Sequence, residues 1–503
     1  MRLHGKVLCR LKVQGGLMEI LFVSSEVVPF AKAGGLADVS HHLPKALAKL
    51  GHTVSVVTPK YSGSDDFKVV TDTGAKITVP MTWRNEEASI YASDISGLVT
   101  VYLIGKDAYY DRQGLYGNAY GDYEDNAERF IFFSRSILEL CKRLEMKPDV
   151  IHCNDWQTGL VPAYLKTLYR DYDPLSSTAT VFSIHNLGSQ GIFWVYDLSL
   201  TGLGWEYFTP ETLEFYGNLN LMKGGLVFAD LISTVSPTYA EEILSPEYGF
   251  GLHGLLTKRK NDLRAILNGV DYDTWDPRND TFIATQYDVE HLDRKLICKR
   301  DLQDKCNLEK NVDGPLVAIV SRLLDRKGLD LVSASFEQML DLGSQFVIMG
   351  KGEDRYHSFF KEMASARPDR VWLSMVYDYP TAHRIESAAD MILVPSRYEP
   401  CGLDQLYSLR YGTIPLVRAT GGLEDTVVDY DPQANTGTGF KFYDYTPDSL
   451  MGTFKRAVEV YAKKAEWLGL MKRAMKCEFS WESAAIKYID LYGQAIEKRR
   501  MFR

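Results

Sequence analysis

Short apolar runs recur along the chain, and each is followed by a polar loop and a stretch with helical spacing. In the first half they span residues 18–24, 53–59, 149–152 and 180–184. In the second half they span residues 315–320, 345–349, 371–376, 391–394 and 414–417. Unbroken apolar runs of this length are typical of strands buried on both faces of a parallel sheet. Because the alternation stops and then restarts, we predict an α/β protein with two doubly wound, Rossmann-like domains.

Helical spacing between these strands predicts several long helices. A helix is expected over residues 36–50, and Pro44 inside it is expected to kink or restart that helix. A second helix is expected over residues 125–144, with one apolar face formed by Phe130, Phe133, Ile137, Leu140 and Leu144.

The pattern also suggests where the domains begin and end. A polar run at residues 258–264 separates the two halves. We therefore expect an N-terminal Rossmann-like domain over 18–262 and a C-terminal Rossmann-like domain over 263–480. The final helix, 481–503, carries an apolar face that needs a partner surface, and we expect it to pack back on the N-terminal domain. Residues 1–17 are basic and are expected to form a disordered extension.

Composition excludes several classes of partner. The 503-residue chain carries a formal net charge of −9, whereas proteins that bind nucleic acid in bulk are usually basic. The seven cysteines form no Cys-x-x-Cys pair, which disfavours a zinc site or a disulfide framework and favours the reducing cytoplasm. No apolar run reaches the length of a membrane span. The composition leaves open whether the protein forms a homo-oligomer.

Between the first strand and its helix stands a loop suited to anions. It contains Lys32, Ala33, Gly34 and Gly35. Glycines allow backbone N–H groups to approach an anion, the helix N-terminus favours negative charge, and the lysine adds a full positive charge. The loop matches neither the G-x-G-x-x-G fingerprint nor a Walker loop, and a glycine pair alone equally suits a simple turn.

Two loops in the second half carry further candidate chemistry. Arg322 and Lys327 follow the strand at 315–320 and could grip two phosphates, although a solvated charged loop is the alternative. Glu399 follows the strand at 391–394, on a stiff Pro-Cys-Gly turn suited to holding sugar hydroxyls; helix capping is its alternative role. A second anion cradle is expected from the backbone amides that open the next helix, those of Cys401, Gly402 and Leu403.

Weaker signals follow three other strands. Asp155 lies in the segment His-Cys-Asn-Asp-Trp at 152–156, and His185 begins His-Asn-Leu-Gly. A histidine at such a position is more often a structural hydrogen-bonding residue than a catalytic one. Thr420 opens Thr-Gly-Gly-Leu, which repeats the arrangement of strand, glycine and helix. Cys401 lacks a neighbouring base in the sequence, so we read it as a small packing residue and not as a nucleophile.

Taken in order, these segments resemble the glycogen/starch synthase family, and its bacterial members in particular. The resemblance covers residues 18 to about 492. It rests on the segments at 32–39, 125–130, 152–156, 185–191, 235–239, 267–271, 321–328, 395–402 and 420–423.

The resemblance implies the two-domain glycosyltransferase architecture called GT-B, with the active site in an interdomain cleft. It implies transfer of glucose from ADP-glucose to the non-reducing end of an α-1,4-glucan, with retention of configuration and without a metal or other cofactor. Two alternatives stay open: a related enzyme that uses UDP-glucose or another donor, and a non-catalytic glucan-binding relative.

The family pattern assigns the positive charges to the leaving diphosphate. Arg322 and Lys327 would neutralise it, and Lys32 with the amides of Gly34 and Gly35 would contribute from the other domain.

The same pattern assigns the remaining residues to the sugar and the base. Glu399 would orient the donor glucose, and Asp155, His185 and Asn268 would line its pocket. Tyr377 would stack on the nucleotide base.

Three positions depart from the wider pattern. The chain has Ser189 where the family often has Tyr, and Asp404 where it often has Thr or Ile. Asp404 is expected in the first turn of a helix, where its charge suits the helix dipole but competes with a phosphate. Tyr407 stands where the wider GT-B pattern has a second glutamate, which this family itself lacks.

Overall fold

The computed structural model describes residues 16–64, 70–118, 120–310 and 313–501. Most of the predicted extension, residues 1–15, lies outside the described residues. By its contacts the chain divides into two compact units. The N-terminal unit comprises residues up to 182, 190–231 and 486 onward, and the C-terminal unit comprises 183–189 and 232–485.

The N-terminal unit contains a mainly parallel sheet, and five of its short strands form two small separate sheets, β10-β12-β11 and β6-β7. Within this unit the strand order is β9-β8-β1-β2-β5-β4-β3, in which β8, β1, β2 and β5 pair in parallel while β4 and β3 are antiparallel additions. The strands are β1 (Glu19–Val23), β2 (Thr53–Pro59), β3 (Thr71–Met81), β4 (Arg84–Ile95), β5 (Val99–Gly105), β6 (Gly117–Asn118), β7 (Gly121–Asp122), β8 (Val150–Asn154), β9 (Ala179–Ile184), β10 (Ile192–Phe193), β11 (Glu214–Phe215) and β12 (Asn218–Asn220).

Helices connect these strands, and the last two residues of β9 are grouped with the C-terminal unit. The helix predicted at 125–144 is confirmed: Phe130, Phe133, Ile137 and Leu140 are fully buried on it. The helices are α1 (Leu36–Lys49), α2 (Asp107–Tyr110), α3 (Asn126–Arg143), α4 (Leu160–Lys166), α5 (Asp173–Ser176), α6 (Leu198–Thr201) and α7 (Leu221–Phe228).

The predicted restart at Pro44 is wrong, because α1 continues through it. Proline inside a helix costs about 3 kcal/mol relative to alanine. Here Leu43, Pro44 and Leu47 are all buried, and each fully buried leucine contributes roughly 1.5–3 kcal/mol. Packing of this face therefore offsets the missing backbone donor.

The C-terminal unit contains a six-stranded sheet in which all neighbouring strands are parallel, in the order β17-β16-β15-β18-β19-β20. This is the doubly wound Rossmann arrangement, in which the direction of winding reverses between the first and fourth strands. The strands are β13 (Leu231–Thr234), β14 (Leu263–Ala265), β15 (Leu316–Val320), β16 (Gln345–Met349), β17 (Val371–Ser374), β18 (Met391–Val394), β19 (Ile414–Arg418) and β20 (Phe440–Phe442).

Helices alternate with these strands, and α18 is the last of them. They are α8 (Pro237–Glu242), α9 (His253–Lys258), α10 (Lys295–Lys305), α11 (Leu329–Asp341), α12 (Asp354–Ala366), α13 (Tyr379–Ala388), α14 (Asp404–Tyr411), α15 (Gly421–Thr426), α16 (Pro447–Ala462), α17 (Lys464–Met475) and α18 (Trp481–Met501). No helix in the described ranges is long and apolar enough to cross a membrane.

The contacts group the chain differently from the predicted boundary at residue 262. Strands β13 and β14 pair in parallel, and both α8 and β14 belong to the C-terminal unit. The backbone N–H and hydroxyl of Thr238 on α8 donate to the carboxylate of Asp425 on α15 at 2.9 and 2.7 Å. These bonds explain why residues 232–262 cluster with the second sheet.

From residue 486 onward, helix α18 is grouped with the N-terminal unit. The Tyr492 hydroxyl and His152 Nδ1 share a hydrogen bond of 2.8 Å, and Arg499 Nη2 donates to the carbonyl oxygen of Ser176 at 3.0 Å. His152 lies in the middle of β8 and is fully buried. This histidine is therefore a structural hydrogen-bonding residue, in line with the interpretation that the sequence favours.

Candidate functional site

The winding of the C-terminal sheet reverses between β15 and β18, and ligands of such sheets bind outside the carboxyl ends of the strands at this point. The loop after β15 carries Arg322 and Lys327, and the loop after β18 carries Glu399. Both predicted segments therefore lie at the switch point of the sheet. The side chain of Arg322 is exposed, whereas Lys327 is only partly exposed.

Backbone contacts lock these two loops together. Gly328 has a φ of +77°, and a Cβ on it would lie 2.0 Å from the carbonyl oxygen of Pro395. The Arg397 N–H donates to the carbonyl oxygen of Arg326 at 2.9 Å. Because only glycine fits at position 328, the loop that carries Lys327 closes tightly against the loop that carries Glu399.

A third loop, after β19, packs against the second in the same way. Gly421 has a φ of +43°, and a Cβ on it would lie 2.1 Å from the carbonyl oxygen of Glu399. The Gly422 N–H donates to that same carbonyl oxygen at 3.1 Å. The backbones of these three loops thus form one interlocked platform that fixes the position of the Glu399 side chain.

On this platform Lys327 and Glu399 form a buried ion pair. Lys327 Nζ lies 2.5 Å from Glu399 Oε2, and their side chains are 14% and 9% exposed. The hydroxyl of Ser396 donates to the same carboxylate oxygen at 2.9 Å. Burial raises the pKa of the Glu399 carboxyl, but the charge of Lys327 and the two hydrogen bonds outweigh burial and hold the pKa below its ordinary value. Glu399 is therefore ionised at neutral pH.

Cys401 and Asn268 lie close to this pair. Burial raises the pKa of the Cys401 thiol to about 12, despite a hydrogen bond with the Asn268 backbone. A thiol at neutral pH is a poor nucleophile, which agrees with the interpretation of Cys401 as a packing residue. Within the described part of the chain, the buried side-chain oxygen Oδ1 of Asn268 has no hydrogen-bond partner. Such an orphaned acceptor fits a hydroxyl donor from a ligand.

The Thr420 loop is engaged by a carboxylate that sequence reasoning missed. Glu242 on α8 accepts hydrogen bonds through Oε1 from the Thr420 hydroxyl at 2.9 Å and from the Gly421 N–H at 3.0 Å. Burial raises the pKa of Glu242, and these two hydrogen bonds lower it in part. No motif spacing in the sequence links Glu242 to the loop that carries Thr420, because the two segments are far apart along the chain.

The predicted glycine loop of the N-terminal unit is likewise engaged from within the protein. The Glu26 carboxylate accepts hydrogen bonds from the Ala33 N–H at 2.7 Å and the Gly34 N–H at 2.9 Å, and a third from the Tyr116 hydroxyl at 2.7 Å. Lys32 is half-exposed and pairs with Asp38 at 2.8 Å. The amides of Ala33 and Gly34 are therefore satisfied by a carboxylate of the protein itself, Glu26, and binding of a ligand phosphate by this loop stays a prediction.

Two further candidates follow strands β8 and β9. Asp155 is buried and has a φ of +55°, a strained conformation for a residue other than glycine and one that clusters at functional sites. His185 lies just beyond β9, and burial lowers its pKa to about 4. The imidazole is therefore neutral at pH 7, so it can accept or donate hydrogen bonds without adding positive charge.

The remaining positions singled out in the sequence lie in different environments. Tyr377, in the loop between β17 and α13, is 51% exposed and presents its ring to solvent. The ring of Tyr407 stacks on Trp275 with the ring centroids 4.1 Å apart, and the ring of His383 also stacks on Trp275, with the centroids 3.8 Å apart. Tyr407 therefore packs the core where the wider pattern has a glutamate.

Asp404 opens α14, as expected. Burial, together with the charge of Asp404, raises the pKa of Glu386 well above its ordinary value.

Comparison with known proteins shows which family this chain belongs to. The family described as "Starch synthase catalytic domain" matches residues 19–258, and that described as "Glycosyl transferases group 1" matches residues 302–468. The glycogen synthase of Koribacter versatilis is 44% identical over 96% of this chain and 99% of its own length. The glycogen synthase of Moorella thermoacetica is 44% identical over 96% and 98%. This chain belongs to the glycogen synthase family.

Solved structures agree with that family. The catalytic domain of starch synthase IV from Arabidopsis thaliana, bound to ADP and acarbose, has a TM-score of 0.90 at 32% identity, over 96% of this chain and all of that one. The sucrose-phosphate synthase of Thermosynechococcus elongatus has a TM-score of 0.61 at 20% identity, which shows the shared fold. The predicted family, the glycosyltransferase class and the pair of Rossmann-like domains are thus confirmed for this glycogen synthase family member.

The ion pair makes a prediction about pH. In the intact protein the Glu399 carboxyl should titrate below its ordinary pKa of 4.5. The pair therefore stabilises the fold at neutral pH, and this contribution is lost as pH falls through the lowered pKa. In Lys327→Met the same carboxyl should titrate at a higher pKa than in the wild type, because burial remains while the charge and the hydrogen bond of Lys327 are gone. Carbon-13 NMR of labelled glutamate carboxyls, with Glu399→Gln to assign the signal, measures both.

The control is Lys305→Met, which removes an exposed ion pair with Asp301 on α10 and should leave the Glu399 titration unchanged. A wild-type midpoint above 4.5, or the same midpoint in Lys327→Met, would contradict the assignment.

Proposed function

We propose that this protein transfers glucose from ADP-glucose to the non-reducing end of an α-1,4-glucan, with retention of the α-configuration. The observation that carries the proposal is the buried pair of Lys327 and Glu399 at the switch point of the C-terminal sheet. The relative from Arabidopsis, described as bound to ADP and acarbose, supports a donor with an adenine nucleotide and an acceptor of the glucan class.

The positive charges are assigned to the departing diphosphate. Lys327 and the exposed Arg322 stand at the end of β15, where fixed cations stabilise negative charge that develops on a leaving group. Lys32 is proposed as a third cation. The amide of Gly34 already donates a hydrogen bond to Glu26. We therefore assign the main contribution of the glycine loop to the charge of Lys32. Gly34 and Gly35 lack side chains and leave space around that charge. In this proposal the side chains supply the neutralisation without a metal.

Glu399 and Asn268 are assigned to the donor glucose. The ionised carboxylate of Glu399 accepts hydrogen bonds from sugar hydroxyls, and its position is fixed by the three interlocked loops. The buried Oδ1 of Asn268 offers a second acceptor. The Thr420 hydroxyl and the amides of the turn at 401–403 are proposed to contact the donor, and Tyr377 is proposed to stack on the base.

Asp155 and His185 are assigned to the transferred glucose. A neutral His185 orients the sugar through hydrogen bonds and adds no charge that would oppose a developing positive anomeric carbon. In the proposed step the bond from the anomeric carbon to the diphosphate breaks, and the bond to the acceptor oxygen forms on the same face. The proton of the acceptor hydroxyl passes to the departing phosphate oxygen. Glu399 is a poor nucleophile, since Lys327 and Ser396 hold its carboxylate.

The cysteines support a proposal about the cellular compartment. The described cysteines are free thiols. Cys477 is partly exposed, and the others are buried: Cys141, Cys153, Cys298, Cys306 and Cys401. Thiols kept reduced are typical of the cytoplasm, which we propose as the site of action.

The donor and the need for metal are tested together. Purified protein is incubated with glycogen and either ADP-glucose or UDP-glucose in the presence of EDTA, and both nucleotide release and glucan elongation are measured. We expect efficient elongation from ADP-glucose and new α-1,4 linkages. A preference for UDP-glucose would overturn the donor, β-linked product would overturn retention, and glycogen binding without transfer would indicate a non-catalytic relative.

The proposed roles of Arg322 and Lys327 predict the kinetics of variants that lack either charge. Removal of either charge should lower kcat by about 10²–10³-fold, as removal of a fixed transition-state donor does in other enzymes. Arg322→Ala tests this at an exposed position, and Lys327→Ala tests it at the buried pair. Lys305→Ala, at an exposed ion pair on α10, is the control and should retain full activity. Near wild-type turnover in Lys327→Ala would refute its role.

A further inference from the structure

Helix α8 (Pro237–Glu242) contacts two loops of the C-terminal unit that carry residues assigned to the glucose. It begins at a defined cap, because the Ser236 side chain accepts a hydrogen bond from the Tyr239 N–H at 3.0 Å and a proline occupies the first helical position. Isolated helices shorter than about 12 residues are only marginally stable in water. The contacts of its side chains therefore decide where this short helix lies.

In its first turn the helix holds the loop that carries His185. The hydroxyl of Tyr239 accepts a hydrogen bond from the Leu187 N–H at 2.9 Å, and both side chains are fully buried. The next residue, Gly188, lies so close to the platform that a Cβ on it would be 3.2 Å from the Tyr398 hydroxyl. A buried N–H is costly to leave unsatisfied, so Tyr239 fixes the course of the backbone just after His185.

At its last residue the same helix holds the platform. Glu242 accepts hydrogen bonds from the Thr420 hydroxyl at 2.9 Å and from the Gly421 N–H at 3.0 Å. The following N–H, that of Gly422, donates to the carbonyl oxygen of Glu399 at 3.1 Å. A single pair of glycines therefore links the carboxylate of Glu242 to the backbone of Glu399.

A second fastening joins α8 to α15. Asp425 accepts hydrogen bonds from the N–H and the hydroxyl of Thr238 at 2.9 and 2.7 Å. Asp425 lies near the C-terminal end of α15, whereas Glu242 binds the N-terminal end of that helix, next to the platform. The two helices therefore hold each other through two carboxylates, and mutation can separate their effects.

Stability does not explain why position 242 carries a carboxylate. Its Oε2 atom is buried and has no hydrogen-bond partner among the described residues. Burial raises the pKa of Glu242, while its two hydrogen bonds and the charge of Arg418 lower it in part. A buried carboxylate that is only partly satisfied costs free energy that a neutral amide would avoid. The charge does strengthen the contact, since hydrogen bonds to an ionised acceptor are about twice as strong as neutral ones.

We propose that α8 is a positioning element for glucose transfer, in which Tyr239 and Glu242 set the distance between His185 and Glu399. This role rests on the proposed function, which assigns His185 and Glu399 to the same glucose. Groups that act on one sugar must be held precisely, and a misplacement of about 1 Å can cost about 10²-fold in rate. Tyr239 and Glu242 act only through the loops that they hold.

The test uses two variants of the full chain that preserve packing, Tyr239→Phe and Glu242→Gln. Each removes one hydroxyl or one charge, and each should lower kcat with ADP-glucose and glycogen about tenfold, as expected for a shift of a fraction of an ångström. The dissociation constant of ADP, which has no glucose, should stay unchanged, and so should the KM for glycogen. The unfolding temperature of Glu242→Gln should equal or exceed that of the wild type, a result that a purely structural role would not give.

The matched control is Asp425→Asn, which makes the same chemical change at the other fastening and should keep wild-type kcat. Equal losses of kcat in Asp425→Asn and Glu242→Gln would make both carboxylates a structural clasp and would overturn the proposal. Wild-type kcat in both Tyr239→Phe and Glu242→Gln would overturn it as well. In the double variant Glu242→Gln/Glu399→Gln, kcat should be no lower than in Glu399→Gln alone, whereas losses that multiply would show independent action and contradict the positioning role.

A carbon-13 NMR signal separates the positioning role from the proposed function. The carboxyl signal of Glu399, assigned with Glu399→Gln, should shift in Glu242→Gln and stay in place in Asp425→Asn, whether or not glucose is transferred. If the signal shifts while the wild type transfers no glucose from ADP-glucose, the positioning role stands and the proposed function fails. If glucose is transferred and the signal does not move, the proposed function stands and the positioning role fails.

Discussion

The ion pair between Lys327 and Glu399 is the interaction on which the candidate site depends. Burying either charge alone would cost several kcal/mol, so each is stable in its place only because the other is present. Their separation of 2.5 Å is fixed by the backbone, since Gly328 and Gly421 bring three loops into contact. The fold thus holds a cation and a carboxylate side by side at the strand ends, where one suits a diphosphate and the other suits sugar hydroxyls.

Carboxylates from the protein itself also occupy the amides that would otherwise attract an anion. Glu26 holds the amides of the glycine loop, and Glu242 holds the Thr420 hydroxyl and the Gly421 amide. Buried donors are expensive to leave unsatisfied, and these contacts satisfy them within each unit. In the proposed function, side-chain cations, more than glycine amides, are therefore the groups available to bind the diphosphate.

Much of the fold could be predicted from the sequence, because unbroken apolar runs mark where parallel strands begin and end. The strands at Thr53–Pro59, Gln345–Met349 and Met391–Val394 begin and end where the pattern places them. Continuity of α1 through Pro44 could not be predicted, since it depends on how the buried face packs. Glu242 could not be predicted either, because its contact with Thr420 is made by the fold and leaves no trace in local spacing.

The most direct test of the account is the dissociation constant of ADP, measured by titration calorimetry for the wild type, Lys327→Met and Glu399→Gln. If Lys327 binds the diphosphate and Glu399 binds the sugar, Lys327→Met should bind ADP at least about tenfold more weakly, a loss of about 1.4 kcal/mol. Glu399→Gln should bind ADP as well as the wild type or more tightly, because ADP has no glucose and the lysine loses its counter-ion. Equal weakening in both variants, or none in Lys327→Met, would contradict the account.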